Sequence, residues 1–318
     1  MSDNVKVLVV GAGAMAQEYC KVLKALEYEP VVIGRGEEKA AKLEAEFGVQ
    51  VLRGGIENNI DNMQELPEYA IVAVDVEYLA HTAMILLEHG VKNILLEKPA
   101  GITREEVAAV AELSREKDAK VYVAYNRRFY ASVQKALEII EEDGGVSSFH
   151  FEFTEWVHVF EKLNFSEVKK QVMFLGNSTH VIDLAFFLGG APKEMSSYVQ
   201  GELAWNKGIK SYAGAGVSEK GILFTYQSNW SAPGRWAVEV LTDQHRLYFK
   251  PMEKLQIQEK GSVAVGPVEI DDELDVLYKP GLYRQTESFL KGIEDGKKVA
   301  IEEQLAHWEF FEKIEGKL

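Results

Sequence analysis

The sequence has a single cysteine, Cys20, which excludes any intrachain disulfide framework. Positive charge is also in deficit, with 35 Lys and Arg against 50 Asp and Glu and a formal net charge of -15. So anionic a chain repels nucleic acid and anionic lipid, and neither is expected as a partner. No apolar run approaches the length of a membrane span, and nothing ahead of Val5 carries the charged-then-apolar pattern of a secretory signal. A cytoplasmic location is therefore expected. Internal repeats and low-complexity linkers are missing as well. What the chain does have is length and apolar content: at 318 residues and 47% apolar it exceeds what one core usually holds, so two domains are expected.

Val5 to Val10 is an apolar, largely β-branched run apart from Lys6, as in a parallel strand buried on both faces, and it stops at Gly11. Helix formers follow from Ala14 to about Leu26. The unit reads strand, glycine turn, helix, with Gly11-Ala12-Gly13-Ala14-Met15-Ala16 at the turn. In a dinucleotide-binding turn Gly11 permits the reversal, Gly13 lets backbone approach a pyrophosphate, and Ala16 lets the helix pack closely on the strand. The first-turn residues Ala14 and Met15 would then face the anion. An ordinary tight turn between a strand and a helix is the alternative. The second strand, Pro30 to Ile33, ends in Gly34-Arg35-Gly36, where an acid that would hold the ribose hydroxyls of NAD is missing. Arg35, with Lys39 one turn later, suits a 2′-phosphate, so NADP is expected ahead of NAD.

Strands and helices keep alternating to about Tyr125. Helices Glu37 to Phe47 and Tyr78 to His89 stop at Gly48 and Gly90, and Thr103 with Glu106 forms a capping box before a helix running to Asp118. Strands fall at Tyr69 to Val74, Asn93 to Leu96 and Lys120 to Ala124. This is a doubly wound parallel sheet, which binds ligands at the carboxyl ends of its strands. Glu97-Lys98-Pro99 stands at one such end. Beyond Tyr130 strand patterns dominate (Val146 to Thr154, Ser196 to Leu203, Lys210 to Val217, Gly221 to Asn229, Trp236 to Leu241, Arg246 to Phe249). Their short turns predict a mostly antiparallel open sheet with helices on one face. The expected fold is α/β, with a doubly wound domain over 1–124 and an α+β substrate and oligomerisation domain over 125–318.

Four features in order resemble the Gfo/Idh/MocA family, the glucose-fructose oxidoreductase and inositol dehydrogenase group: the glycine turn, Glu97-Lys98-Pro99, Tyr125-Asn126-Arg127-Arg128-Phe129, and Asn177-Ser178-Thr179-His180-Val181-Ile182-Asp183. The resemblance implies an N-terminal Rossmann domain, a second α/β domain with a large open sheet, and hydride transfer between a nicotinamide and a carbon of a sugar or polyol. It places Ala73, Val74 and Glu97 beside the cofactor, and Tyr125, Asn126 and Asn177 at the substrate. Chemically, His180 is the candidate base because imidazole titrates near neutrality, and Lys98 the candidate ligand of the reacting oxygen. A structural histidine on an apolar helix is the alternative for His180. Asp183 could orient that imidazole or pair elsewhere, and Arg127 and Arg128 could clamp a substrate anion or form structural salt bridges. Two departures stand out. Many members carry an aspartate four residues before the histidine, where this chain has Gly176, and Val74-Asp75 replaces a usual Thr-Pro. A non-catalytic dinucleotide sensor on the same fold is thus the second reading. No metal is expected. A homodimer or homotetramer through the C-terminal sheet is expected, with Phe149-His150-Phe151-Glu152-Phe153-Thr154 as a source of apolar interface.

Overall fold

The computed structural model describes residues 5–318, and the reading of the segment ahead of Val5 lies outside them. The chain divides into two compact units, one of residues 5–126 with 274–306, the other of residues 127–273 with 307–318. In the first, β1 (Lys6–Val10), α1 (Ala14–Ala25), β2 (Glu29–Gly34), α2 (Glu37–Phe47), β3 (Val51–Arg53), α3 (Ile56–Asn59), β4 (Tyr69–Val72), α4 (Leu79–Glu88), β5 (Asn93–Leu96), α5 (Arg104–Glu116) and β6 (Lys120–Val123) alternate, with β3 and α3 added to the predicted elements. The strands pair in parallel in the order β6-β5-β4-β1-β2-β3. Val7, Leu8 and Val9 are fully buried because helices cover both faces of the sheet. The direction of winding reverses between β1 and β4, so the carboxyl ends of those two strands flank the crevice where such sheets bind ligands. Thr103 caps α5 by accepting from the Glu106 N–H, as the capping box predicts.

The second unit opens with α6 (Ala131–Glu142) and β7 (Ser148–Glu152), followed by the short helices α7 (Val157–Phe160) and α8 (Glu167–Gln171). A π-turn, Phe174–Ser178, leads into α9 (Thr179–Gly189). Seven strands complete its sheet: β8 (Pro192–Glu202), β9 (Ile209–Ser218), β10 (Leu223–Asn229), β11 (Ala237–Leu241), β12 (His245–Phe249), β13 (Gln256–Glu259) and β14 (Gly266–Pro267). The order is β14-β13-β12-β11-β7-β10-β9-β8, antiparallel throughout except that β7 lies parallel to β10. The hairpin-linked runs β8 to β10 and β11 to β13 account for the predicted pairing, and β7 is inserted between them.

Strand alternation settles which face of β7 is apolar, and it corrects one expectation. Phe149, Phe151 and Phe153 all point inward and are 2%, 0% and 0% exposed. Phe151 stacks on Tyr226 at 5.2 Å and Phe149 on Phe224 at 5.3 Å, with Phe186 of α9 edge-on to both. These rings form the core under α9, so they are not the outward apolar surface proposed for oligomerisation. The opposite face of β7 carries His150 and Glu152.

The C-terminal segment returns to the first unit, a connection the sequence boundary at 124/125 does not contain. After α10 (Glu273–Leu277), α11 (Leu282–Leu290) packs on α1, with Phe289 edge-on to Tyr69 and Tyr122. β15 (Val299–Ala300) then pairs antiparallel with β6 as an edge strand, and α12 (Ile301–Ile314) ends the fold. Among the described residues, no helix is long and apolar enough to cross a membrane.

Candidate functional site

In the first unit the glycine turn lies at the reversal of winding. The Gly11 N–H donates to the Ile33 carbonyl at 2.8 Å, and Gly11 has φ +128°, a conformation L side chains rarely adopt. A Cβ there would stand 2.3 Å from the Ala73 carbonyl oxygen, so only glycine lets β1 and the segment after β4 approach so closely. Gly13 is different: a Cβ would meet nothing within 4 Å, and this N-cap gives α1 no side-chain hydrogen bond. The first turn of α1 also lacks acidic residues. The space beside Gly13 is therefore open at the positive end of the helix dipole, the environment a pyrophosphate requires. The glycine cradle fits a dinucleotide, with Ala14 and Met15 opening the helix and Ala73 and Val74 across the crevice.

Lys98 follows directly from β5, half-buried at its carboxyl end. The turn around it is anchored on both sides. Tyr19 of α1, fully buried, donates its hydroxyl to Glu97 Oε1 at 2.8 Å, and the Gln304 amide of α12 donates to the Pro99 carbonyl at 3.0 Å. Burial, then the Glu97 charge, pushes the Tyr19 phenol well above its ordinary value and keeps it a donor. Glu97 thus couples the lysine turn to the helix that starts at the glycine turn. Tyr125 and Asn126 are held differently from the substrate contacts expected of them. Tyr125 is 1% exposed, and the Asn126 side chain donates to the Pro280 carbonyl at 2.9 Å. In the orientation its neighbours require, the Gln285 amide oxygen accepts from both backbone N–H groups at 3.1 Å.

At the end of β2, Arg35 is engaged. It pairs with Glu57 of α3 at 3.0 Å and lies 4.1 Å from the centroid of the Tyr78 ring. Lys39 is exposed on α2.

In the second unit the π-turn and α9 gather Asn177, Ser178 and His180. Sequence reasoning missed the group that organises them, Glu155. This carboxylate is 1% exposed and accepts from the Ser178 hydroxyl at 2.8 Å, the Asn177 amide at 3.0 Å and the Trp236 indole at 3.0 Å, with Arg235 at 3.5 Å. Burial raises its pKa against those four donors. Its contacts lie up to 81 positions away in sequence, and its only local signal is an acid following the apolar strand β7. The His180 ring lies 6.4 Å from that of Trp236, and the guanidinium groups of Arg127 and Arg235 lie 4.7 and 4.3 Å from the Trp236 ring. Two cations and an imidazole therefore cluster around an indole that donates to the buried acid. A Cβ on Gly176, where the family aspartate usually stands, would meet nothing within 4 Å.

Asp183 and Arg128 resolve as a structural pair. Asp183 is wholly buried and accepts two bonds from Arg128, at 2.9 and 2.7 Å, with His307 Nδ1 at 3.8 Å. Its oxygens are therefore committed to a guanidinium, the pairing elsewhere that the sequence left open for Asp183 beside a role on the His180 imidazole or the substrate.

Residues 5–125 match the Gfo/Idh/MocA family model, described as an oxidoreductase family with an NAD-binding Rossmann fold, so the family resemblance is borne out over that segment. No curated protein matches the sequence. Solved structures match over nearly the whole chain. An oxidoreductase from Agrobacterium radiobacter, in complex with NAD+, L-tartaric acid and magnesium, has TM-score 0.80 at 14% identity, covering 99% of this chain and 96% of its own. Levoglucosan dehydrogenase, in complex with NADH and L-sorbose, has TM-score 0.79 at 19% identity, covering 99% and 96%. UDP-N-acetylglucosamine 3-dehydrogenase from Acidithiobacillus ferrooxidans has TM-score 0.75 at 14% identity, covering 98% and 97%. At such identities they establish the shared two-domain fold. Neither the family description nor the NAD-containing relatives support the preference for NADP.

Proposed function

We propose that this protein is an NAD(P)-dependent oxidoreductase that moves a hydride between the nicotinamide and a carbon of a sugar, polyol or sugar derivative. The observation that carries the reading is the anchored Lys98 turn at the carboxyl end of β5, tied through Glu97 and Tyr19 to the helix of the glycine cradle. A surface lysine with no chemical task would not need its turn held from two sides.

When bound, the nicotinamide supplies the hydride acceptor or donor. The chain's own groups do the rest. In the oxidative direction, Lys98 donates a hydrogen bond to the substrate hydroxyl oxygen and stabilises the negative charge that grows as the proton leaves. His180 takes that proton on its imidazole, and returns it when the reaction runs toward the alcohol. Asn177, fixed by Glu155, orients a neighbouring hydroxyl. Glu155 has no substrate contact in this scheme: it holds the π-turn and so sets where α9 begins. The tartrate and sugar ligands of the structural relatives, and the sugar nucleotide named for one of them, support a polyhydroxylated substrate.

The test is a comparison of wild type, Lys98→Met and His180→Asn, using nicotinamide absorbance across sugars, polyols, sugar acids and nucleotide sugars, with NADH binding measured alongside. A loss of kcat of roughly 100-fold or more in both variants with retained NADH affinity is expected. A wild type that binds NADH yet turns over none of these substrates would favour a dinucleotide sensor, for which the missing aspartate at Gly176 is the argument.

A further inference from the structure

The surroundings of Arg35 reverse the choice of dinucleotide suggested by its position alone. Gly34 ends β2, and its carbonyl accepts from the Gly55 N–H at 3.1 Å, which folds the Gly54-Gly55 turn against the β2 terminus. Gly55 has φ +83°, and a Cβ on it would stand 2.8 Å from a Glu57 carboxylate oxygen and 3.2 Å from Arg35 Cγ. The glycine is what allows the start of α3 to deliver Glu57 to Arg35. The carboxylate then accepts from the Arg35 guanidinium at 3.0 Å and lies 3.5 Å from His81 Nε2, while Tyr78 supports the other side of the guanidinium. The nearby cation at the end of β3, Arg53, is likewise taken, by Glu37 at 2.8 Å and Glu44 at 2.8 Å. The first turn of α2 adds Glu37 and Glu38 ahead of the exposed Lys39, so carboxylates outnumber the cations that a 2′-phosphate would use at the rim beyond β2.

We propose that Glu57 sets the dinucleotide choice of this protein in favour of NAD: its carboxylate is the ribose acceptor that the end of β2 lacks, and it holds Arg35 in a pair that a 2′-phosphate would have to break. The inference rests on the dinucleotide reading of the glycine cradle. Glu57 and Arg35 are both partly exposed, with side chains 39% and 50% accessible, so the carboxylate remains open to a ribose hydroxyl while paired. A ribose 2′-hydroxyl can donate to Glu57 without disturbing Arg35. A 2′-phosphate, carrying close to two negative charges, meets that carboxylate first and gains Arg35 only by displacing it. The planar guanidinium, resting on Tyr78, keeps its outer face for adenine whichever nucleotide binds.

The experiment is a titration of the full-length protein with NADH and with NADPH, followed by nucleotide fluorescence, for wild type, Glu57→Gln and Glu57→Gln/Arg35→Ala, with circular dichroism to establish that each is folded. Wild type is expected to bind NADH about tenfold or more tighter than NADPH, the discrimination of a partly exposed charge. Glu57→Gln should strengthen NADPH binding by about tenfold and weaken NADH binding several-fold, because the amide removes the repulsion and releases Arg35. Adding Arg35→Ala should abolish the NADPH gain. Tighter NADPH binding by wild type, or a Glu57→Gln variant that changes both affinities equally, would overturn the proposal while leaving the dinucleotide site standing. Folded wild type that binds neither nucleotide would overturn the underlying reading and this proposal with it.

Discussion

Replacing Asp183 with Asn leaves the Arg128 guanidinium buried beside a neutral amide. Asp183 is fully buried, the Arg128 side chain is 4% exposed, and the two bonds between them are 2.9 and 2.7 Å long. Removing one charge of such a pair costs roughly 3–5 kcal/mol, because a buried ion loses the charge-assisted bonds that offset its desolvation. The second unit has about 160 residues, for which 1 kcal/mol lowers the melting temperature by about 2–4 °C, so a fall of roughly 10 °C is expected. The two units need not melt together, and the probe must separate them. Tryptophan emission does so: Trp156, Trp205, Trp230, Trp236 and Trp308 all lie in the second unit. A double replacement, Arg128→Met/Asp183→Leu, removes both charges at similar volume and should regain most of the loss. An Asp183→Asn protein melting within about 3 °C of wild type in tryptophan fluorescence would refute the reasoning, since losing a buried bidentate carboxylate cannot be so cheap.

The two turn glycines should separate folding from ligand binding. Gly11→Ala, forced to φ +128° and against the Ala73 carbonyl at 2.3 Å, should cost about 2–4 kcal/mol of stability in denaturant titration as well as NADH affinity. Gly13→Ala, whose Cβ meets nothing within 4 Å, should unfold at nearly the wild-type denaturant concentration yet bind NADH at least tenfold more weakly, because the new methyl occupies the space a pyrophosphate needs. The stability of the second unit should depend on His150. Burial holds this imidazole below its usual value, against the nearby carboxylates of Glu239 and Glu152, and Nδ1 contacts the Thr225 hydroxyl at 2.8 Å. Between that lowered value and about 6.5 the unfolded chain binds a proton that the folded one does not, so stability rises with pH through this window and is lost as pH falls. His150→Gln should flatten the slope in tryptophan-monitored melts; an unchanged slope would assign the dependence to other groups.

What could be read in the sequence was whatever short-range physics decides. The strand predicted over Val5 to Val10, buried from Val7 onward, the glycine turn, the capping box at Thr103 and the alternation of β7 each depend on neighbours a few positions apart, and each appears in the structure. Alternation could not say which face of β7 turns inward, because either phase satisfies a period of two; the packing of Phe149, Phe151 and Phe153 under α9 chose it. Charge partners were equally hidden. Arg128 and Asp183 are 55 positions apart, Asn177 and Glu155 22, and Arg35 and Glu57 22, so a residue type that suggested a substrate clamp or a phosphate ligand had its role decided by a distant carboxylate. The return of residues 274–306 to the first unit was invisible for the same reason: an edge strand of two residues and one amphipathic helix carry no mark of the sheet they join. Local sequence determined the elements and the glycine cradle. Tertiary structure decided which ionisable groups remain available for chemistry, because burial makes pairing obligatory and only the fold brings the partners together.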